Sequence, residues 1–300
     1  MSISITNINN NWKLLSTGNK YYEEELFTKF EDAFLHECGK GKTGIKIIHH
    51  ARSFVQCTEF STVLKCTSGV KDPHCELADI RLLAYSLKRK TARLLFLQFK
   101  EANHNSKGHY AKIDEKQMLL FSEFPMVSYY KQGPALHDVL KDNIYNCPQS
   151  GAMFVMIEYD SARKEYNLRF MNHTMLKPQK PQLIKSKEGT HYYDIHHKTR
   201  QRTSHAAGSS LVFTYCDYVP SMKEFLDNVK KLEIGREIDI VDIADHISTK
   251  ELPEDLKEYF PKDNNRNPNK IDSDNAKEDE SSRFVNLVDT TFALNVDELV

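Results

Sequence analysis

The chain has 300 residues, 40% of them apolar and 28% charged, which suits one large globular domain or two modest ones and excludes gross disorder. Lys and Arg total 41 against 42 Asp and Glu, a net charge of −1, so any surface for a polyanion has to come from uneven placement of charge. The longest strongly apolar run, 152–157, is too short to span a bilayer, and the opening MSISITNINNNW has neither a basic start nor an apolar stretch. These features predict a cytoplasmic protein with no membrane segment and no secretory leader. The six cysteines, Cys38, Cys57, Cys66, Cys75, Cys147 and Cys216, form no CxxC pair, as expected of reduced thiols and not of a disulfide framework or a zinc knuckle.

In chain order, Tyr22, Leu26, Phe30, Ala33 and Phe34 recur at helical spacing ahead of Gly39 and predict a helix over 21–37. Short β-branched and aromatic runs follow at 45–48 and 54–64. The strongest signal is a hairpin: 77–87 and 92–99 are nearly continuous apolar runs joined by Lys88-Arg89-Lys90-Thr91, the pattern of strands inside a covered sheet. A helix over 114–123 comes next, with Met118, Leu119 and Phe121 or Ser122 inward, then a second strand pair, 153–159 and 166–171. The stretch 177–202 reads as a long basic loop, 211–215 as a buried strand, and 221–232 as a helix opened by Pro220-Ser221. Residues 263–282 are almost wholly Asn, Asp, Glu, Lys and Ser and predict a disordered acidic linker. Residues 284–300 regain apolar character as a tail with no assigned docking place.

Polar groups collect where the hairpin strands stop. Gln98 and Lys100 project to one face of their strand, about 7 Å apart along the chain. If Leu87 faces Ala92 across the link, Asp79 lies opposite Lys100, with β-carbons about 5 Å apart. An acid there could hold Mg²⁺ (or Mn²⁺), Gln98 could ligate through its carbonyl oxygen, and Lys100 could orient a water and offset charge on a phosphorane-like transition state. A second acid is expected nearby, Glu76 or Glu23. The plainer alternative is a solvated Asp–Lys pair of little energetic worth.

The acid-then-QxK arrangement resembles the PD-(D/E)XK nuclease superfamily. Asp79 matches the first motif acid, Glu76 to Asp79 matches an E-x-x-D form of it, and Gln98-Phe99-Lys100 looks like the QxK strand of methylation-dependent restriction endonucleases and related defence nucleases. The likeness covers roughly residues 21–123, and Ala78 stands where the superfamily has its proline. It implies an α/β fold with a restriction-endonuclease-like core, a central mixed β-sheet flanked by helices, and an α+β C-terminal extension. The corresponding division is a core over 1–125, an extension over 126–260 that completes the sheet, the linker over 261–283 and the tail over 284–300. The implied activity is Mg²⁺-dependent hydrolysis of DNA in a prokaryotic anti-phage or restriction system. Asp79, Gln98, Lys100 and Glu76 would be catalytic, and Asp79, Gln98, Glu76 and Glu23 the metal donors. A helicase- or sensor-type protein partner would supply activation or targeting, and self-association is left open. Because an amide is a weaker ligand than a carboxylate, the same residues also suit a nuclease-fold adaptor that binds protein or nucleic acid without cutting.

The remaining signals are weaker. Lys88, Arg89 and Lys90 at the hairpin tip, and Lys198, Arg200 and Arg202 in the basic loop, are the expected backbone-binding residues, provided they share a face with Asp79. Gly41-Lys42-Thr43 is no phosphate-binding loop, since its pattern needs glycine where His36 stands. His191, His196, His197 and His205 follow no zinc spacing, and Gly208-Ser209-Ser210 lacks the GxSxG frame of a serine hydrolase. If the acidic linker competes with nucleic acid, deleting 263–300 should raise affinity or activity.

Overall fold

The computed structural model describes residues 2–18, 20–38, 44–49, 55–57, 74–105, 108–114, 117–118, 120–121, 127–129, 135–136, 151–178, 190–195, 218–243, 252–257, 259–260 and 288–300. They open with helices α1 (Ile5–Ser16) and α2 (Glu23–Cys38), then strands β1 (Ile45–His49), β2 (Val55–Cys57), β3 (His74–Cys75), β4 (Ala78–Ser86), β5 (Thr91–Asn105) and β6 (Gly108–Asp114). Strands β7 (Val127–Tyr129), β8 (Ala135–Leu136), β9 (Ala152–Asp160), β10 (Glu165–Met171), β11 (Leu176–Pro178), β12 (Thr190–Ile195) and β13 (Tyr218–Val219) follow. Helix α3 (Met222–Lys231), strand β14 (Arg236–Asp239), the single turn α4 (Glu254–Lys257) and strand β15 (Val288–Asn295) complete them.

The apolar runs of β4 and β5 make the spine. They pair antiparallel from Ser86↔Thr91 to Ile80↔Leu97. The main sheet runs β1-β15-β4-β5-β6-β12-β11. The other edge of β5 carries β14, antiparallel to its first residues, and β9, parallel to residues 96–102. Hairpin β9–β10 then carries β13 at its far side. Strands β2, β3, β7 and β8 form a separate small sheet. The fold is therefore α/β, an open mixed sheet flanked by helices. Among the described residues no helix is long and apolar enough to cross a membrane.

Because side chains alternate along a strand, the two faces of this sheet have separate cores. One face sets Ile80, Leu82, Leu95, Leu97, Phe99 and Val155 against α1, α2 and α3 through Trp12, Leu26, Phe30, Phe225 and Val229. Phe30 is its hub, with ring centroids 5.1 Å from Phe99, 5.2 Å from Phe34, 6.0 Å from Phe292 and 6.3 Å from Trp12. The other face packs Leu83, Tyr85, Leu94, Phe96, Phe154 and Met156 under Phe121, Ile240, Leu252 and Leu256. Asp79, Gln98 and Lys100 belong to this second face by alternation.

Four expectations are corrected. The hairpin turn occupies Leu87 to Lys90, with Lys90 left-handed (φ 54°) and Ser86 Oγ accepting the Arg89 N–H at 3.0 Å. The register therefore slides by two residues, and Asp79 comes level with Gln98 instead of Lys100. Residues 108–114 are a strand that returns along β5, so the helix expected from 114 does not begin there, and its helical residues among those described are 117–118 and 120–121. The supposed loop 177–202 contains β12, antiparallel to β6. The tail is β15, a central strand parallel to β4 and antiparallel to β1. The strand expected over 211–215 and the linker 261–283 lie outside the described residues.

Candidate active site

The site grows from a fork in the sheet. Strand β4 covers one edge of β5 as far as Leu97, and β6 takes up the same edge again at Ala102. No strand of the described residues pairs with residues 98–101 on that edge. Two backbone N–H groups point into the gap, and a buried N–H without an acceptor costs about 1–3 kcal/mol. Carboxylates meet both. Phe99 donates to Asp79 Oδ2 at 2.6 Å, and Glu101 donates to Glu23 Oε2 at 3.0 Å.

Local sequence explains how each acid arrives. Asp79 follows directly on buried Leu77 and Ala78, where the apolar run of β4 begins. Glu23 opens α2, where a carboxylate suits the positive end of the helix dipole. The helix is fixed on β5 by Phe27, whose ring stands 5.6 Å edge-on from Phe99. The connection before it is pinned too: Tyr166 Oη accepts the Tyr21 N–H at 2.7 Å, and Lys20 pairs with Glu101 at 3.2 Å.

Lys100 lies between the two capped positions. Its Nζ is 3.6 Å from Glu23 Oε1, and its side chain is only 15% exposed. Asp79 is partly accessible, but the protein packed around its carboxyl group strips away much of its water, and that desolvation lifts its pKa from 3.8 to about 7. Lys100 and the Phe99 N–H pull it down, while Glu23 and Glu76 push it up. Glu76 is thus close enough to be felt at Asp79.

Gln98 is 1% exposed and directly beside Asp79, donating from Nε2 to Asp79 Oδ2 at 2.7 Å. Its Oε1 accepts from Nε2 of Gln117 at 3.0 Å. The expected ligand oxygen of Gln98 is therefore turned toward Gln117, and its nitrogen toward the acid. Sequence reasoning misses Gln117. The available signal is a lone amide opening the apolar string Met118-Leu119-Leu120-Phe121, and it is 7% exposed.

No known family model, curated protein or solved structure matches this chain. The site has to be read from its own chemistry. Among the described residues no three His, Cys, Asp or Glu side chains gather as a metal-binding group. A Mg²⁺ ion asks for less, one or two carboxylates with water and substrate oxygens filling the other positions. Asp79 and Glu23 could hold one. Oδ2 of Asp79 takes both of its hydrogen bonds, leaving Oδ1 outside them, and a cation there would relieve the mutual repulsion of three acids. The donor set fits a hard divalent cation and not a soft one.

The other candidates stand apart. Lys88, Arg89 and Lys90 are exposed at the opposite end of β4, roughly 23 Å from Asp79 at 3.3 Å per residue. Arg89 there donates to the Lys231 carbonyl at 3.1 Å, and the Lys88 N–H to Asp297 at 3.1 Å. The hairpin tip thus lies at the far end of the same two strands from Asp79. Lys198, Arg200 and Arg202 lie outside the described residues, as do His196, His197 and His205.

Proposed function

We propose that the protein is a metal-dependent endonuclease, with Asp79, Glu23 and Lys100 as its working groups. The observation that carries this reading is the fork, where two acids from different elements flank one sheltered lysine on a stretch of strand edge that no strand among the described residues pairs. Structural capping alone would need the acids but not the lysine. A perturbed carboxyl such as that of Asp79, beside a sheltered cation, is a common mark of functional sites.

In this reading Asp79 and Glu23 offer carboxylate oxygens to Mg²⁺ or Mn²⁺, with Glu76 adding negative charge nearby. The bound cation supplies Lewis acidity toward a phosphoryl oxygen. Lys100 orients the attacking water and balances charge growing on the phosphate. The water oxygen bonds to phosphorus as one P–O ester bond breaks, and a proton given up by the water to solvent is matched by one that solvent returns to the leaving oxygen, so a phosphate monoester and a hydroxyl remain. The likeness to PD-(D/E)XK nucleases supports DNA as substrate, a restriction-endonuclease-like core, a cytoplasmic defence setting, and a protein partner for targeting or activation.

One observation favours the adaptor alternative. With Gln98 Nε2 toward Asp79 and Oε1 held by Gln117, the amide gives a cation no oxygen in this arrangement. Incubating supercoiled plasmid with the full chain and Mg²⁺ or Mn²⁺, beside folded Asp79→Ala and Lys100→Ala proteins, tests the choice. Cleavage lost in both variants supports the nuclease. A folded wild type that binds DNA and never cuts it favours the adaptor.

A further inference from the structure

Gln117, Gln98 and Asp79 form a directional chain. Gln117 Nε2 donates to Gln98 Oε1 at 3.0 Å, and Gln98 Nε2 donates to Asp79 Oδ2 at 2.7 Å. Both glutamines are buried, at 7% and 1% exposure, and among the described residues these are the bonds their amide groups make. The ionised carboxylate accepts only, so without a cation the charged form of Asp79 is met by the N–H end of Gln98. A cation held by Asp79 can take Gln98 as a further ligand only through the opposite end of the amide, its oxygen.

A terminal amide turned by half a revolution exchanges oxygen and nitrogen at nearly the same positions. If Gln98 alone turned, its N–H would meet the N–H of Gln117 and both donors would lose their acceptor. If Gln117 turns with it, the contact survives with reversed polarity: Gln98 Nε2 donates to Gln117 Oε1, and Gln98 Oε1 faces the acid. A glutamine at 117 supports both arrangements. An acceptor-only or donor-only side chain supports one.

Resting on the reading that Asp79 holds a divalent cation, we infer that Gln117 is a positioning residue that lets Gln98 alternate between hydrogen-bond donor to Asp79 and oxygen ligand to the ion. The pair is a two-state relay, and cation binding selects the second state.

Two measurements on the full chain test this, both with Mg²⁺ alone as the probe. In the first, ¹⁵N-glutamine-labelled protein is titrated and the side-chain NH₂ signals of Gln98 and Gln117 are followed, assigned through Gln98→Met and Gln117→Met. Both signals should move together with one midpoint, and Asp79→Ala should abolish the movement. In the second, Mg²⁺ affinity is compared for wild type, Gln117→Glu, Gln98→Met and the double variant. The carboxylate introduced by Gln117→Glu attracts a cation by charge in either background, so the cycle isolates the contact between the two side chains. Gln117→Glu should tighten binding about fivefold more with Gln98 present than in the Gln98→Met background, a coupling within the usual range for contacting groups. Mg²⁺ binding that depends on Asp79 while the amide signals stay still and the cycle closes without coupling overturns the relay and leaves the proposed site standing. No Asp79-dependent Mg²⁺ binding in the wild type overturns both.

Discussion

Phe99 donates its backbone N–H to Oδ2 of Asp79 over 2.6 Å, and this contact marks the place where β4 leaves β5. The acid therefore has a structural duty, ending a ladder inside a covered sheet, besides any chemical one. The two duties separate by substitution. Asparagine keeps an acceptor for the N–H and removes the charge.

Asp79→Asn should change how stability depends on pH. The carboxyl sits at about 7 in the folded chain against an ordinary 3.8. The folded state thus binds the proton more tightly than the unfolded state. Below about pH 4 both states are protonated and this contribution to stability is fully present. It is lost as pH rises from about 4 to about 7 and is constant above, a loss on the order of a few kcal/mol. Urea midpoints at several pH values should show the wild type and Asp79→Asn nearly equal at pH 4, with Asp79→Asn the more stable at about pH 7.5. A difference that does not vary with pH contradicts the assignment.

Glu23 gives a second separation. Its pair with Lys100 is partly solvated, with 40% of the Glu23 side chain exposed, so the charge itself contributes under about 1 kcal/mol to stability. Glu23→Gln, which can still accept from Glu101 N–H, should melt within about 3 °C of wild type. On the proposed function it should cut DNA at least about tenfold more slowly, a loss of one cation-holding charge. Equal cleavage by the two proteins would remove Glu23 from the site. Glu23→Ala should also cost about 1–3 kcal/mol, because the N–H then loses its acceptor.

Removing residues 288–300 should unfold the protein. Strand β15 lies between β1 and β4 and buries Phe292, Ala293 and Leu294, with Val296 and Leu299 just beyond. Each large apolar side chain contributes about 1.5–3 kcal/mol, and together they approach the whole net stability of an ordinary domain. Circular dichroism of the truncated chain should show loss of cooperative melting. Deleting 263–300 to relieve an acidic brake is thus no clean test, because it removes a central strand. Neutralising Asp272, Asp274, Glu278, Asp279 and Glu280 to Asn or Gln leaves β15 in place and should raise DNA affinity if the brake exists.

At the hairpin tip, Lys90 is exposed and holds a left-handed backbone (φ 54°). Lys90→Gly should stabilise the protein by up to about 1 kcal/mol, since glycine adopts that conformation without steric cost. Lys88→Ala with Lys90→Gly should leave cleavage near wild type, because the tip is at the far end of β4. A large loss of DNA binding in that pair would show that substrate wraps to the far end of the sheet.

The legible parts of the sequence are those with strong local periodicity. Helix α2, the β4–β5 and β9–β10 hairpins and α3 follow from apolar spacing and from Ser221, whose Oγ accepts the Glu224 N–H at 3.3 Å. Helix α1 escapes such a reading because its many asparagines are poor helix formers, although Ile5, Ile8 and Trp12 keep helical spacing and are buried. Register turns on one residue. Leu87 looks like strand but begins the turn, and Ser86 beside it is the turn signal. The site is half legible, since Asp79, Gln98, Lys100 and Glu23 are single points in sequence but become a site only through a gap between β4 and β6. Neither that gap nor the place of β15 has a local signature, because both depend on pairing between distant segments.

On the proposed function, the fork between β4 and β6 holds a divalent cation on Asp79. Crystals of the wild-type chain soaked in Mn²⁺ and measured at the manganese absorption edge test it most directly. The expected result is an anomalous peak bonded to a carboxylate oxygen of Asp79, with Glu23 or Gln98 turned toward it. A fork without such a peak, Asp79 still joined only to Gln98 and the Phe99 N–H, would contradict it.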